Sequence, residues 1–175
     1  GSRMAPLPYS SEGVPLRVGV EVFGRDNRLV TGFDRYVKLS VTPGVLLSVS
    51  GPDVVGPYIR LRGGVATDAQ VMIARGYGEA ILWVEDTGYT PVDPRRSPPP
   101  ACANGRDDDG DGSVDYPGDL GCEASNDDDE IGGSYAAGTS EPLYFNTPII
   151  SDVQGRGSAS PLLNERVTIV GHTRP

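Results

Sequence analysis

The chain has 175 residues with 24 Gly and 16 Pro, and its formal net charge is −9. That length allows one or two domains, and the Gly and Pro content means many turns and little helix. No run of about 20 apolar residues occurs, so no helical membrane span is expected, and the acidity argues against nucleic-acid binding through the acidic surface.

The first four residues, GSRM, read as a cloning remnant, which leaves room for a signal or anchor trimmed from the chain. They open a polar lead, 1–13, that has no period. From Val14 the apolar residues alternate: Leu16, Val18, Val20 and Val22 share one face, and Arg17, Gly19, Glu21 and Phe23 the other. A period of two predicts a half-buried strand. A turn centred on Asp26 and Asn27 follows, then a strand over 36–41 with Val37, Leu39 and Val41 inward, then the turn Thr42-Pro43-Gly44.

Further strands are predicted over 45–49 and 58–61, with Gly63-Gly64 closing the second. Two more follow, over 65–74 with Val71 and Ile73 and over 80–85, joined by Gly76-Tyr77-Gly78. The last buries either Ile81 and Trp83 or Leu82 and Val84, and Trp83 is expected to pack in the core or on a sheet face. Six to eight short strands within about 75 residues, with turn signals between them, predict an all-β fold. The expectation for 14–90 is an Ig-like β-sandwich. No apolar stripe recurs at helical spacing. Residues 91–101, PVDPRRSPPPA, read as a Pro-rich linker whose three consecutive prolines favour a semi-rigid polyproline II spacer.

The acidity is local. Within 102–130 there are nine Asp and two Glu against the single Arg106, a formal charge of −10, so the rest of the chain is about neutral. Bare carboxylates at this density repel one another and oppose a compact state. Asp107, Asp109 and Asp111 alternate, Gly112 follows, and Ser113 and Asp115 come next. This D-x-D-x-D-G order converges oxygens on one hard cation, with a glycine permitting the sharp turn and the next residue offering its backbone carbonyl. An EF-hand places a bidentate Glu at the twelfth loop position, but here that position is Gly118, with Asp119 one residue later, and no amphipathic helix flanks the loop. The missing ligands are sought in Asp119 or in the second acidic run, Asp127, Asp128, Asp129 and Glu130.

The pattern C-x-N-G-x-D-D-D-G-D-G-x-x-D-Y-P-x-D-x-G-C, followed by an acidic run, resembles the calcium-binding repeats of secreted bacterial proteins. These are similar to the type 3 repeats of thrombospondin. The resemblance covers about 29 residues, 102–130. It implies Ca2+ as the bound ion, with Asp107, Asp109, Asp111 and Asp115 as ligands, Ser113 ligating through its carbonyl, and Asp119, Asp128 and Glu130 as further ligands. It also implies that Cys102 and Cys122 pair. A disulfide fits an oxidising compartment, so a secreted or cell-surface protein is expected.

After Gly132-Gly133 the segments 142–145 and 148–154 look extended, and 166–171 reads as a strand. The order Ile150, Asp152, Val153, Gln154, Gly155, then Ser160, Pro161, Leu162, then Val167, Thr168, Ile169, Gly171 resembles the opening of an OB-like β module found beside extracellular nucleases. Residues 132–175 are thus expected to begin such a module, with too few strands to close a barrel. Exposed strand edges there invite pairing with the sandwich or with another chain. The expected organisation is a lead (1–13), sandwich (14–90), linker (91–101), disulfide-bracketed calcium-binding loop (102–131) and C-terminal strands (132–175).

No catalytic site is expected. The lone histidine, His172, lies four residues from the end and reads as solvated, and no GxSxG, HExxH or phosphate-binding loop occurs. Two functions remain. One is a non-enzymatic extracellular module for adhesion, surface display or fibre assembly, in which calcium rigidifies the join between β domains. The other is a spacer or targeting region of a larger secreted hydrolase such as a nuclease. Thiol titration of the unreduced, unfolded chain is expected to find no free thiol; finding two removes the disulfide and the oxidising compartment together.

Overall fold

A computed structural model describes residues 1–147 of the chain. Their regular structure is nine strands and a single 3-10 turn at Ala101–Ala103. Up to the acidic segment the strands are β1 (Val14–Glu21), β2 (Tyr36–Thr42), β3 (Val45–Ser50), β4 (Val54–Val55), β5 (Tyr58–Arg60), β6 (Val65–Ala74) and β7 (Gly78–Glu85). Beyond it lie β8 (Gly138–Thr139) and β9 (Leu143–Phe145). One antiparallel sheet has the order β1-β6-β3, and the other has β4-β5-β2-β7-β8, with β9 also pairing β7. From β1 to β7 the chain alternates between the sheets, counting β4 and β5 together. Among the described residues no helix is long and apolar enough to cross a membrane.

Period-two patterning explains the core. Each sheet turns one apolar face inward, and the two faces meet in one cluster. Val14, Val20, Ala69, Val71 and Ile73 come from the first sheet, and Val37, Leu39, Val41, Ile59, Ala80 and Leu82 from the second. In β7 the inward face is therefore Ala80, Leu82 and Val84. Trp83 lies on the outer face, 39% exposed, opposite Ser40 and Thr139. It packs on a sheet face and leaves the core to smaller aliphatic side chains.

Two irregularities keep the phase. Val18 pairs with Ala69, but Val20 pairs with Ala66, so β6 carries an extra residue there. Thr67 and Asp68 are accordingly both exposed, after which Ala69, Val71 and Ile73 resume inward alternation. β3 carries its own extra residue between Leu46 and Ser48, and Leu47 is turned outward. A bulge shifts every later side chain to the correct face, which is why it is retained.

The segments on either side of the acidic stretch pack onto this unit. Residues 91–101 carry the prolines of the expected spacer, yet their backbone runs against the acidic segment and does not stand off from it. Val92 N donates to Asn126 O at 3.0 Å, Asp128 N donates to Thr90 O at 3.0 Å, and Pro91 bridges Asp127. The N-terminal lead is tied down as well: Leu7 N donates to Tyr144 O at 2.7 Å, and Asn146 N to Leu7 O at 2.8 Å. β9 adds to the second sheet and buries Phe145 in the common core. The Phe145 ring lies over Gly76, where a Cβ would sit 3.0 Å from two ring atoms. The described part of the C-terminal segment thus packs on the sheets of its own chain. The OB-like motif from Ile150 to Gly171, and His172, lie outside the described residues.

Truncating Phe145 tests whether the segment after the acidic loop belongs to this core. Phe145→Ala is expected to cost about 3 kcal/mol, the low end of the range for a buried phenylalanine. Urea unfolding measures it; an unchanged midpoint would make the last strand an ornament on a complete sandwich.

Candidate metal centre

The loop after Cys102 is shaped by its own aspartates. Asp107 accepts from Gly110 N at 2.6 Å and from Gly112 N at 3.0 Å, Asp109 from Asp111 N at 3.0 Å, and Asp111 from Ser113 N at 2.7 Å. Each side chain caps an amide two to five residues on, so the backbone curls and the carboxylates converge on one side. Gly112 has φ of 94°, the left-handed backbone that the sixth position of such a loop needs.

Two groups of carboxylates result. Oxygens of Asp107, Asp109 and Asp111 lie within 4.8 Å of one another at the surface, and oxygens of Asp109, Asp119 and Glu130 lie within 4.8 Å of one another beneath it. Asp109 belongs to both. Asp119 and Glu130 are only 2% and 3% exposed. One oxygen of each is satisfied: Asp119 Oδ1 accepts from Gly121 N at 2.6 Å, and Glu130 Oε2 from Asp108 N at 2.6 Å. The other two, Asp119 Oδ2 and Glu130 Oε1, are buried without a hydrogen-bond partner.

Two features bring Glu130 here from the far end of the segment. Cys102 and Cys122 form a disulfide across 20 residues with Cα atoms 5.8 Å apart. On the chain-entropy view, closing a loop of that size contributes about 3 kcal/mol. Gly121 then packs its backbone directly on Glu130, where a Cβ would lie 1.5 Å from the Glu130 carbonyl oxygen. No larger residue fits at position 121 without moving the Glu130 strand.

The remaining expected ligands are engaged elsewhere. Asp115 accepts from Asn104 N at 3.0 Å and Gly105 N at 2.8 Å, holding the loop entry from a backbone with φ of 52°. Asp128 pairs with the Arg96 guanidinium and accepts from Ala101 N at 3.1 Å, fastening the Pro-rich stretch. Ser113 takes part through its amide, which donates to Asp111. The structure therefore brings together Asp107, Asp109, Asp111, Asp119 and Glu130, and leaves Asp115 and Asp128 as anchors of the flanking backbone.

Two acidic residues dock the segment on the sheet unit, and their composition alone does not separate them from the candidate ligands. Asp127 is fully buried and accepts from Thr90 N at 2.8 Å, Glu123 N at 3.2 Å and Asp129 N at 3.3 Å. Burial pushes its carboxyl above the usual range, and the three amides act against that. Glu123 accepts from Lys38 Nζ at 2.8 Å and from the Tyr58 hydroxyl. Burial alone would raise its carboxyl, but the Lys38 and Tyr58 hydrogen bonds outweigh it and hold Glu123 below its ordinary 4.5. Tyr58 is correspondingly raised, by burial first and then by its bond to Glu123. The Tyr58 and Tyr89 rings pack 4.2 Å apart beside them, and Tyr89 OH donates to Asn126 at 3.2 Å.

A scan of protein-family models, a search of curated proteins and a search of solved structures each found no match to this chain. The chemistry of the site is accordingly argued from its own atoms.

The docking contact gives a signed pH dependence. A carboxylate held below 4.5 contributes stability that is fully present above 4.5 and is lost as pH falls through its lower folded value. Lys38→Met should cost about 1 kcal/mol at neutral pH, as for a part-exposed pair. The gap from wild type should close as the pH drops below 4.5. Melting scans from neutral to acid pH measure it, and a gap that stays constant would mean that Lys38 acts by packing alone.

Proposed function

We propose that the chain is a non-enzymatic, extracellular calcium-binding module in which the cation locks residues 102–130 onto an Ig-like sandwich and rigidifies the join to the β segment C-terminal to them. The observation that carries this reading is that Asp119 and Glu130, which bring carboxylate oxygens within 4.8 Å of each other and of Asp109, each keep one buried oxygen without a hydrogen-bond partner. Buried like charges are costly unless a proton or a cation neutralises them. All the donors are oxygen, which selects a hard cation. Several carboxylates on an irregular loop suit the six to eight flexible ligands of calcium better than the octahedral shell of magnesium.

In this reading Asp109, Asp119 and Glu130 hold the ion from within, and Asp107 and Asp111 close it from the surface. The Ig-like assignment is supported by two packed antiparallel sheets whose central pairs are β1–β6 and β2–β7. Its strict alternation between sheets departs from the immunoglobulin order, in which strands also follow one another within a sheet. Assembly through strand edges is supported by β3, an edge strand of sequence VLLSVS with no charged residue and with Val45 and Leu47 exposed.

Calcium at 100-fold excess over its dissociation constant should stabilise the chain by about 2.7 kcal/mol. Glu130→Gln and Asp119→Asn should abolish this response. Both should also raise the stability of the chelator-treated protein, by about 1 kcal/mol, since each removes a buried unpaired charge. Calorimetric titration and melting scans with and without millimolar calcium read both effects, with magnesium as the weaker competitor. A melting curve that calcium leaves unchanged sinks the proposal.

A further inference from the structure

Glu130 faces the disulfide as well as the aspartates. One of its carboxylate oxygens and the sulfurs of Cys102 and Cys122 lie within 4.8 Å of one another, and all three residues are buried. The Cys102 sulfur is also 3.5 Å from the Asp129 carbonyl oxygen. With the disulfide closed, the sulfurs are poor ligands, and Glu130 is left to the carboxylate side of the site. Opening the disulfide changes the donor set. The Cα atoms are 5.8 Å apart. The Cys102 backbone is pinned independently, its N donating to Asp127 O at 3.1 Å and its O accepting from Tyr116 N at 3.1 Å, and Cys122 lies between Gly121, packed on Glu130, and Glu123, whose N donates to Asp127 at 3.2 Å. Two thiols would therefore remain beside Glu130 after reduction.

We propose that in the reduced chain Cys102, Cys122 and Glu130 form a second metal site, specific for a borderline or soft divalent cation such as Zn2+. Two thiolates and a carboxylate are three ligands of a tetrahedral zinc site, and the fourth position is open to water or to the Asp129 carbonyl. Thiolates select zinc over calcium, and carboxylates alone do the reverse. Glu130 is common to both donor sets, so the two ions exclude each other. The redox state of one bond thus decides which class of metal the loop takes. In a chain whose cysteines have not yet paired, zinc would hold 102 and 122 side by side, with Glu130 as their common neighbour.

The chemistry balances. A phosphine reductant takes oxygen from water to become the phosphine oxide, and the disulfide gains the two hydrogens as two thiols. Binding of M2+ to two thiols and one carboxylate then releases two protons and leaves a site of net charge −1.

The test uses the full chain reduced with a water-soluble phosphine, which brings no competing thiol, and titrated anaerobically with Co2+ as a spectroscopic stand-in for Zn2+. The expected result is a saturable one-to-one complex with an intense thiolate-to-cobalt charge-transfer band that zinc bleaches. The unreduced chain and the Cys102→Ser/Cys122→Ser double variant should lack this band. Glu130→Gln should weaken cobalt and zinc binding at least tenfold. Calcium binding by the unreduced chain is measured alongside, so the soft site stands or falls whatever the calcium result. Absence of a saturable band in the reduced chain overturns the proposal. So does an affinity that Glu130→Gln leaves unchanged, which would mark a bare pair of thiols.

Discussion

Asp119 and Glu130 each give one oxygen to a backbone amide and keep the other buried without a partner, and their carboxylates lie within 4.8 Å of that of Asp109. Unpaired carboxylates would ordinarily turn to water or pull apart. Here they are prevented from doing so. The Cys102–Cys122 bond closes the loop, and Gly121 lies so close to the Glu130 carbonyl that the two strands of chain move as one. Backbone geometry therefore holds three carboxylates together, two of them buried. The rest of the acidic segment is arranged around that constraint: the outer aspartates curl the loop over the buried pair, and Asp115 and Asp128 hold its entry and its return.

The same segment is joined to the sheets by acidic residues used in another way. Asp127 collects three backbone amides, and Glu123 meets Lys38 and Tyr58 on the second sheet. Asp86, at the end of β7, completes the attachment. It accepts from Ser134 N at 3.0 Å and Tyr135 N at 3.2 Å and lies 3.6 Å from Arg35. Gly133 packs on the Asp86 carbonyl, with room for no side chain: a Cβ there would lie 1.7 Å from the oxygen. Occupation of the loop by a cation would act on the strands through these contacts, because they are short and made largely by the backbone.

The strands were legible because their signal is local. Alternation in 14–22 and 36–41 reports which side chains are apolar at every second position, and burial of one face is all that the fold asks of them. The choice between the two faces of β7 was not legible. Ile81 and Trp83 are as apolar as Leu82 and Val84, and only the partner sheet decides which set it covers. The extra residue in β6 was hidden for the same reason, since Thr67 and Asp68 read as an ordinary polar pair until Val20 is seen to pair with Ala66.

In the acidic segment the sequence by itself determined the chemistry. Alternating aspartates, a glycine at the turn and two cysteines state that oxygens converge and that the loop can be closed, because each of these properties belongs to residues a few positions apart. Which carboxylates join Asp109 from outside the loop was decided by tertiary structure alone. Asp119 and Glu130 become neighbours only when 121 stacks on 130, while Asp115 and Asp128, of the same residue type and equally close in sequence, are taken by the amides of 104, 105 and 101. A carboxylate's role depends on which donors and which other carboxylates the fold brings to it. Those contacts join residues up to 27 positions apart, beyond the reach of any local pattern.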